Sequence, residues 1–227
     1  MSDAAGPEAS AQAALELVED GQTLGLGTGR AAAAFVRALG ARVAEGLSVR
    51  GVPTSDATEA LATEVGIPLL TLEEAERLDA TFDGADEVDP NLDVIKGYGG
   101  ALVREKIVAA SSDRLYILVG DEKLVDQLGQ RGKLPVEVVP FARSLVQRRM
   151  IELGCKGIER LDESGASYRT DNGNLILDAE VGAIDDPAAL DQALLSIPGV
   201  LGTGLFVGMT DAVVVQRGSD VEVLRRG

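Results

Sequence analysis

Residues 23–39 read Thr-Leu-Gly-Leu-Gly-Thr-Gly-Arg-Ala-Ala-Ala-Ala-Phe-Val-Arg-Ala-Leu, and this stretch decides the fold. Thr23–Leu26 has the character of a short strand and the glycines that follow break it. Ala32, Phe35, Val36 and Leu39 then recur at helical spacing up to an expected stop at Gly40. Outward from this β-turn-α unit the same alternation repeats. Upstream, Ala11, Ala14, Leu15 and Val18 mark a helix face. Downstream, Ser48–Val52 predicts a strand leading through Pro53 to Ser55 or Asp56 as the N-cap of a helix that runs to Val65. Ile67–Leu70 and Ala80–Phe82 predict further strands, and Leu115–Val119 is apolar at every position, as in a strand covered on both faces. Alternation of this kind predicts an α/β fold with a Rossmann-like parallel sheet.

From about Pro135 the rhythm changes. Val136–Val139 is extended, Phe141–Leu153 is helical, and strands are predicted at Gly157–Leu161 and Asn174–Ala179. A helix from Asp186, with Pro187 at its first position, runs to Ile197, and Val200–Val207 forms a last strand. The order βαββαβ is ferredoxin-like. Ala212–Gln216 and Val221–Leu224 then supply strands for the first sheet. The expected organisation is a Rossmann-like catalytic domain from residues 1–132 and 208–227, with an inserted ferredoxin-like α+β domain at 133–207.

Composition excludes several functions. The chain has 227 residues, 45% of them hydrophobic, so a core is available. Its net charge of −16 opposes binding to nucleic acid or anionic membranes, since phosphate backbones are held by clustered Lys and Arg. No apolar run is long enough to span a bilayer. Met1–Ser10 lacks a basic start and an apolar run, so no secretory leader is expected, and the single Cys155 suits a reducing cytoplasm. The chain contains no histidine, which removes Ser-His and Cys-His dyads and the usual imidazole base. With one Cys and no His a zinc site is not expected. Proton transfer therefore falls to Asp, Glu, Lys or Tyr.

Gly25–Arg30 joins a strand to a helix, where glycines let an anion approach and the helix start offers amides. Thr28 and Arg30 add side-chain donors. No lysine follows Gly29 and Arg30 replaces the last glycine of a dinucleotide fingerprint, so an anion site and a plain tight turn both remain open. Asp83-Gly84-Ala85-Asp86-Glu87 follows a strand; its carboxylates suit sugar hydroxyls, proton transfer or Mg²⁺, or form an acidic loop. Lys96-Gly97-Tyr98-Gly99-Gly100 puts a lysine at the mouth of a glycine loop, a pattern suited to stabilising an oxyanion. Behind it, Ala101–Ala110 reads as a helix carrying Arg104, Glu105 and Lys106. The helical neighbours of Glu105 are Ala101, Leu102, Val108 and Ala109, all apolar. Three consecutive residues span about 200° of a helix, so the charged trio cannot share one wet face. Either Glu105 turns inward, where desolvation raises its proton affinity, or it pairs with Arg104 or Lys106 at the rim of the core. Lys123, in Asp121-Glu122-Lys123 beyond the Leu115–Val119 strand, is a further cationic candidate or a solvated turn residue. Cys155 reads as inert and Asp171-Asn172-Gly173 as a structural turn.

Taken in order, Gly25–Gly29, Pro53–Thr58, Asp83–Glu87, Lys96–Ile107, Asp121–Lys123, Gly132–Pro140, Thr170–Asn174, Pro198–Val200 and Gly204–Phe206 resemble the ribose-5-phosphate isomerase A family over nearly the whole chain. The resemblance implies isomerisation of ribose 5-phosphate and ribulose 5-phosphate through an enediolate, in the non-oxidative branch of the pentose phosphate pathway, without metal or cofactor. It implies that Glu105 is the base, that Asp83 assists ring opening and hydroxyl proton transfer, and that Asp86 holds hydroxyls. It implies that Lys96 with Gly97, Gly99 and Gly100 stabilises the enediolate, and that Thr28, Gly29 and Lys123 bind the substrate near its phosphate. A homodimer or homotetramer follows from the same resemblance. Three positions depart from the family pattern. Arg30-Ala31 stands for Ser-Thr, Pro7 for a lysine, and Tyr98 for a glycine. Arg30 as a phosphate ligand follows from its own chemistry and not from the family. Two alternatives use the same fold. A non-catalytic sugar-phosphate sensor needs neither Glu105 nor Lys96, and an enzyme acting on acyl thioesters would need an acyl-carrier signature that the chain lacks.

Overall fold

The computed structural model describes residues 7–75 and 77–226. Along the chain the elements run α1 (Glu8–Leu15), β1 (Thr23–Leu26), α2 (Arg30–Ala44), β2 (Arg50–Pro53), α3 (Asp56–Glu64), β3 (Ala80–Gly84), β4 (Glu87–Val88), β5 (Val94–Ile95) and α4 (Leu102–Ala110). There follow β6 (Leu115–Gly120), β7 (Lys133–Val138), α5 (Arg143–Glu152), β8 (Lys156–Glu159) and β9 (Leu175–Glu180). The last are α6 (Pro187–Leu195), β10 (Val200–Thr203), β11 (Leu205–Phe206), β12 (Ala212–Arg217) and β13 (Asp220–Arg225). No helix among the described residues is long and apolar enough to cross a membrane.

The chain divides into two compact units. The first takes the described residues up to Ala85, Arg104–Leu124 and those from Met209 onward; the second takes Asp86–Val103 and Val125–Gly208. The segment 133–207 lies inside the second unit, which also holds 86–103 and 125–132.

In the first unit the strands form a sheet in the order β13-β12-β6-β3-β1-β2, parallel throughout except for the β12–β13 pair. Alternate residues of β1 feed its two faces. Leu24 and Leu26 join the core that contains Phe35 and Val36 of α2, while a Cβ on Gly25 would lie 2.6 Å from Val108 Cγ1 of α4. Phe35 stacks on Phe82 with ring centroids 4.3 Å apart, and Phe82 meets Tyr116 at 5.1 Å. Each of the two phenylalanines is fully buried, which contributes about 1.5–3 kcal/mol apiece.

Two expectations for this unit need correction. Helix α2 does not stop at Gly40 but runs through it to Ala44. Gly40 is there for close packing, because a Cβ would lie 2.5 Å from Val65 Cγ2. The helix ends instead at Gly46, whose φ of +111° lets Leu47 N–H reach Arg42 O and Gly46 N–H reach Val43 O, both at 3.0 Å. The strand expected at Ile67–Leu70 is reduced to one parallel bridge between Gly51 and Leu69, since Pro68 has no N–H to extend a ladder. The cap of α3 is as expected: Ser55 Oγ accepts from Thr58 N–H at 3.1 Å.

In the second unit, β10-β7-β9-β8 form an antiparallel sheet, the fourth-first-third-second order of a ferredoxin-like fold. Leu134, Val136, Val138, Leu175 and Leu177 form a core with Val146 and Met150 of α5 and Leu194 of α6. Asp186 caps α6 by accepting from Ala189 N–H at 2.9 Å, with Pro187 at the first helical position. The strand expected over Val200–Val207 is split at Gly204. Beyond it, β11 leaves the four-stranded sheet and pairs with β5, which pairs with β4 in a small antiparallel sheet of its own.

Candidate functional site

Open α/β sheets bind ligands beyond the carboxyl ends of their strands where the strand order reverses. In the first unit that point lies between β1 and β3, because β1 has β2 on one side and β3 on the other. The predicted residues Thr28, Gly29, Arg30 and Asp83 all stand there. Asp83 is 1% exposed, and its Oδ1 accepts from Thr28 N–H at 3.0 Å and from Gly84 N–H at 2.7 Å. Gly27 allows this approach, since a Cβ would overlap the Asp83 carboxylate and lie 2.6 Å from Asp83 Cα. Gly29 has φ +101° and is the N-cap of α2, so the turn opens onto the amides of the first helical turn. Arg30, the first residue of that helix, is exposed.

The Thr28 hydroxyl belongs to a cluster that sequence reasoning did not single out. Its Oγ1 donates to Ser55 Oγ at 2.8 Å and lies 2.8 Å from Thr54 Oγ1. Ser55 Oγ donates to Thr58 Oγ1 at 3.0 Å, and Thr58 Oγ1 donates to Gly27 O at 2.8 Å. The cluster fixes the glycine turn from beneath. Its visible sign was the run of hydroxyl residues in Pro53–Thr58 just after a predicted strand.

Glu105 is 4% exposed. Residues 104–110 of α4 run antiparallel to the strands: Leu78 N–H bonds Ser111 O at 3.3 Å and Ser112 Oγ lies 2.6 Å from Thr81 Oγ1, while Val108 packs against Gly25. Glu105 lies one turn before Val108 on the same face, at the level of the carboxyl ends of β1 and β3. Its inward orientation, one of the two that the apolar neighbours left open, follows from the packing of Val108 on Gly25. Arg104 places Nη1 2.7 Å from Asp56 Oδ1. Lys123 sits half-buried on the short turn Asp121–Lys123 after β6.

The second unit holds Asp86, Lys96, Gly97, Gly99 and Gly100. Lys96 is 2% exposed, its amide donates to Gly204 O at 2.8 Å, and its Nζ lies 5.6 Å from the centroid of the Phe206 ring. Gly97 and Gly100 have φ of +102° and +93°, conformations that a side chain disfavours. Asp86 joins this loop, because its Oδ2 accepts from Tyr98 N–H at 2.9 Å. Tyr98, the departure from the family pattern, is half-buried and donates its hydroxyl to Lys133 O at 3.1 Å. Burial, then the charges of Glu87 and Asp86, push the Tyr98 phenol well above its ordinary range. Burial likewise pushes up the Cys155 thiol, which donates to Met150 O at 3.4 Å.

No group of three His, Cys, Asp or Glu side chains among the described residues is placed to hold a metal ion. A largely apolar groove of about 420 Å³ runs along Leu69, Leu70, Leu72, Ile107 and Val108, and none of the predicted site residues lines it.

A Rossmann-like sheet with a carboxylate-braced glycine turn at its switch point, carried on the same chain as a ferredoxin-like unit, defines a two-unit α/β protein. The comparisons narrow that class. The model of the family ribose 5-phosphate isomerase A (phosphoriboisomerase A) matches residues 50–220. The ribose-5-phosphate isomerase A of Roseiflexus castenholzii is 51% identical over 208 residues, 91% of this chain and 89% of that protein. That of Bradyrhizobium diazoefficiens is 48% identical over 227 aligned positions, 96% of this chain and 94% of its own. Among solved structures, ribose 5-phosphate isomerase A from Methanocaldococcus jannaschii superposes with a TM-score of 0.92 at 41% identity, covering 96% of this chain and 97% of that one. A D-ribose-5-phosphate isomerase in complex with phospho-erythronic acid gives 0.93 at 38% identity, covering 97% of each chain. The chain belongs to the ribose-5-phosphate isomerase A family.

Proposed function

We propose that the chain interconverts D-ribose 5-phosphate and D-ribulose 5-phosphate through an enediolate, with Glu105 as the carbon base. The observation that carries this reading is the burial of Glu105 on the sheet-facing side of α4, at the carboxyl ends of β1 and β3. A carboxylate held out of bulk water among apolar side chains suits the role of a carbon base. In the ring-opened aldose Glu105 takes the proton from C2. The electron pair of that bond forms the C1–C2 double bond and negative charge develops on O1. Lys96, with the amides of its glycine loop, meets that charge. Proton return from Glu105 to C1, with transfer of the O2 proton to O1, completes the ketose. Asp83 moves hydroxyl protons and assists ring opening, and Asp86 holds hydroxyls. Thr28, Gly29, Arg30 and Lys123 take the phosphate end, where the amides of a helix start favour an anion.

Neither metal nor cofactor enters this scheme, and the enzyme works in the cytoplasm as a homodimer or homotetramer. A four-carbon aldonic acid phosphate, the kind of ligand named for one structural relative, presents a planar carboxylate in place of the enediolate oxygens and is expected to inhibit competitively. The test is an assay with ribose 5-phosphate after chelator treatment. Full activity is expected in the native protein. Glu105→Gln should lose about 10²–10⁴-fold in kcat while still binding phosphorylated sugars. Robust turnover by that variant would remove Glu105 from the scheme. Binding without turnover in the native protein would favour a sensor.

A further inference from the structure

We propose that Arg160, fixed by Asp178, is a positioning residue that sets the conformation of the Lys96–Gly100 loop and thereby the catalytic step. The proposal rests on the reading of Lys96 as the cation that meets the enediolate. Arg160 follows β8, and its side chain is only 10% exposed. One edge of the guanidinium is spent on Asp178: Nε donates to Oδ2 at 3.0 Å and Nη2 to Oδ1 at 2.5 Å. This paired contact locks the plane of the group. The remaining nitrogen, Nη1, donates to two successive carbonyls of the glycine loop, Gly97 O and Tyr98 O, each at 3.0 Å.

Two consecutive carbonyls directed at one donor are unusual in extended chain, where they alternate, and here they belong to the turn that Gly100 N–H closes on Gly97 O at 3.0 Å. The planar peptide unit then fixes the other side of the loop. With Gly97 O turned to Arg160, Tyr98 N–H points the opposite way, to Asp86 Oδ2. With Tyr98 O turned to Arg160, the Gly99 N–H is likewise turned away, at an exposed residue. Gly97 O also accepts from Gly100 N–H at 3.0 Å, so it is the Tyr98–Gly99 peptide that loses its carbonyl partner without the guanidinium, and a flip there would offer a carbonyl where the loop now offers an amide. Lys133 reinforces the frame, with Nζ 3.2 Å from Asp178 Oδ2 and 4.8 Å from the centroid of the Tyr98 ring. A lysine at 160 cannot reproduce the arrangement, because a point donor cannot grip a carboxylate with two nitrogens and two carbonyls with a third.

The experiment compares Arg160→Ala, Arg160→Lys, Asp178→Asn and Lys96→Ala in the full-length enzyme, with hydrogen exchange followed over residues 94–102. Arg160→Ala and Arg160→Lys are expected to lose at least 30-fold in kcat with the KM for ribose 5-phosphate changed less than threefold. Added guanidinium should restore at least a third of the loss in Arg160→Ala, and exchange should accelerate at 97–100 and not across the β7–β10 sheet. Asp178→Asn preserves volume, and if the arginine variants do not fold it decides the matter alone, with at least a tenfold fall in kcat at unchanged KM. Equal loss in kcat and KM, with exchange accelerated throughout the unit, would make Arg160 an ordinary structural residue and overturn the proposal. So would unchanged kcat. If Lys96→Ala keeps full turnover, the reading of Lys96 fails first, and that result is separate from any obtained with Arg160.

Discussion

The molecule carries two glycine-rich loops held by opposite means. In the first, Gly27–Gly29, a buried carboxylate pins the chain through its amides: Asp83 Oδ1 accepts from Thr28 and Gly84. In the second, Gly97–Gly100, a buried cation pins the chain through its carbonyls: Arg160 Nη1 donates to Gly97 and Tyr98. The first loop also touches its support directly, with Gly27 against Asp83, whereas Gly99 has open space where a Cβ would be. A glycine thus means different things in the two loops. At position 27 it answers a steric demand, at 97 and 100 a dihedral one joined to close contacts with Leu102 and Tyr168, and at 99 neither.

The contrast can be broken at its strongest point by Gly27→Ala. The new methyl meets buried backbone and carboxylate, so a loss of about 1–3 kcal/mol in denaturant melts and a collapse of activity are expected. Thr28→Val should follow, costing about 1–2 kcal/mol by leaving Ser55, Thr54 and Thr58 short of a partner, with a rise in KM measured by initial rates. Arg30→Ala tests the exposed side of the same loop: KM for ribose 5-phosphate should rise several-fold with kcat nearly unchanged, and an unaltered KM would remove Arg30 from the phosphate site. Gly99→Ala sharpens the comparison from the other side, with a stability change expected within about 0.5 kcal/mol.

The smallest effect is a pH dependence confined to the second loop. Tyr98 and Tyr168, whose hydroxyls bond Lys133 O and Gly99 O, both have phenol pKa values pushed up, first by burial. A group whose folded pKa lies above its unfolded value contributes stability that is complete below the unfolded pKa and is lost as pH rises through the folded one. Stability should therefore decline from about pH 10 upward, near the ordinary tyrosine value. Tyr98→Phe should flatten that alkaline decline in melts followed by circular dichroism.

The first loop was legible because its strand, turn and helix follow one another in sequence, and the βαββαβ unit was legible because its elements each carry a clear period. Glu105 was half legible. Its apolar neighbours at helical spacing left two orientations open, and only the packing of Val108 on Gly25 chose between them. The supports were scarcely legible, the hydroxyl run of Pro53–Thr58 being their one visible sign. Arg160 lies far along the chain from Gly97, and the hydroxyls of Thr54, Ser55 and Thr58 meet Thr28 only through the pairing of β1 with β2. Glu137 shows the same limit. It is fully buried in an apolar run, and its Oε1 is met by Thr170, Asn172 and Asn174 from a turn that reads as purely structural. The two-residue strands β4, β5 and β11 are too short to carry any period, and Gly40 imitates a helix stop because close packing and chain reversal select the same residue.

Gly204 reaches further than its size suggests. Its missing side chain leaves room for the Lys96 carbonyl, whose own amide it anchors in return. A mutagenesis library that spares every residue near the sugar but randomises this one codon would still displace the lysine. Drift at position 204 should accordingly be as constrained as drift at 96.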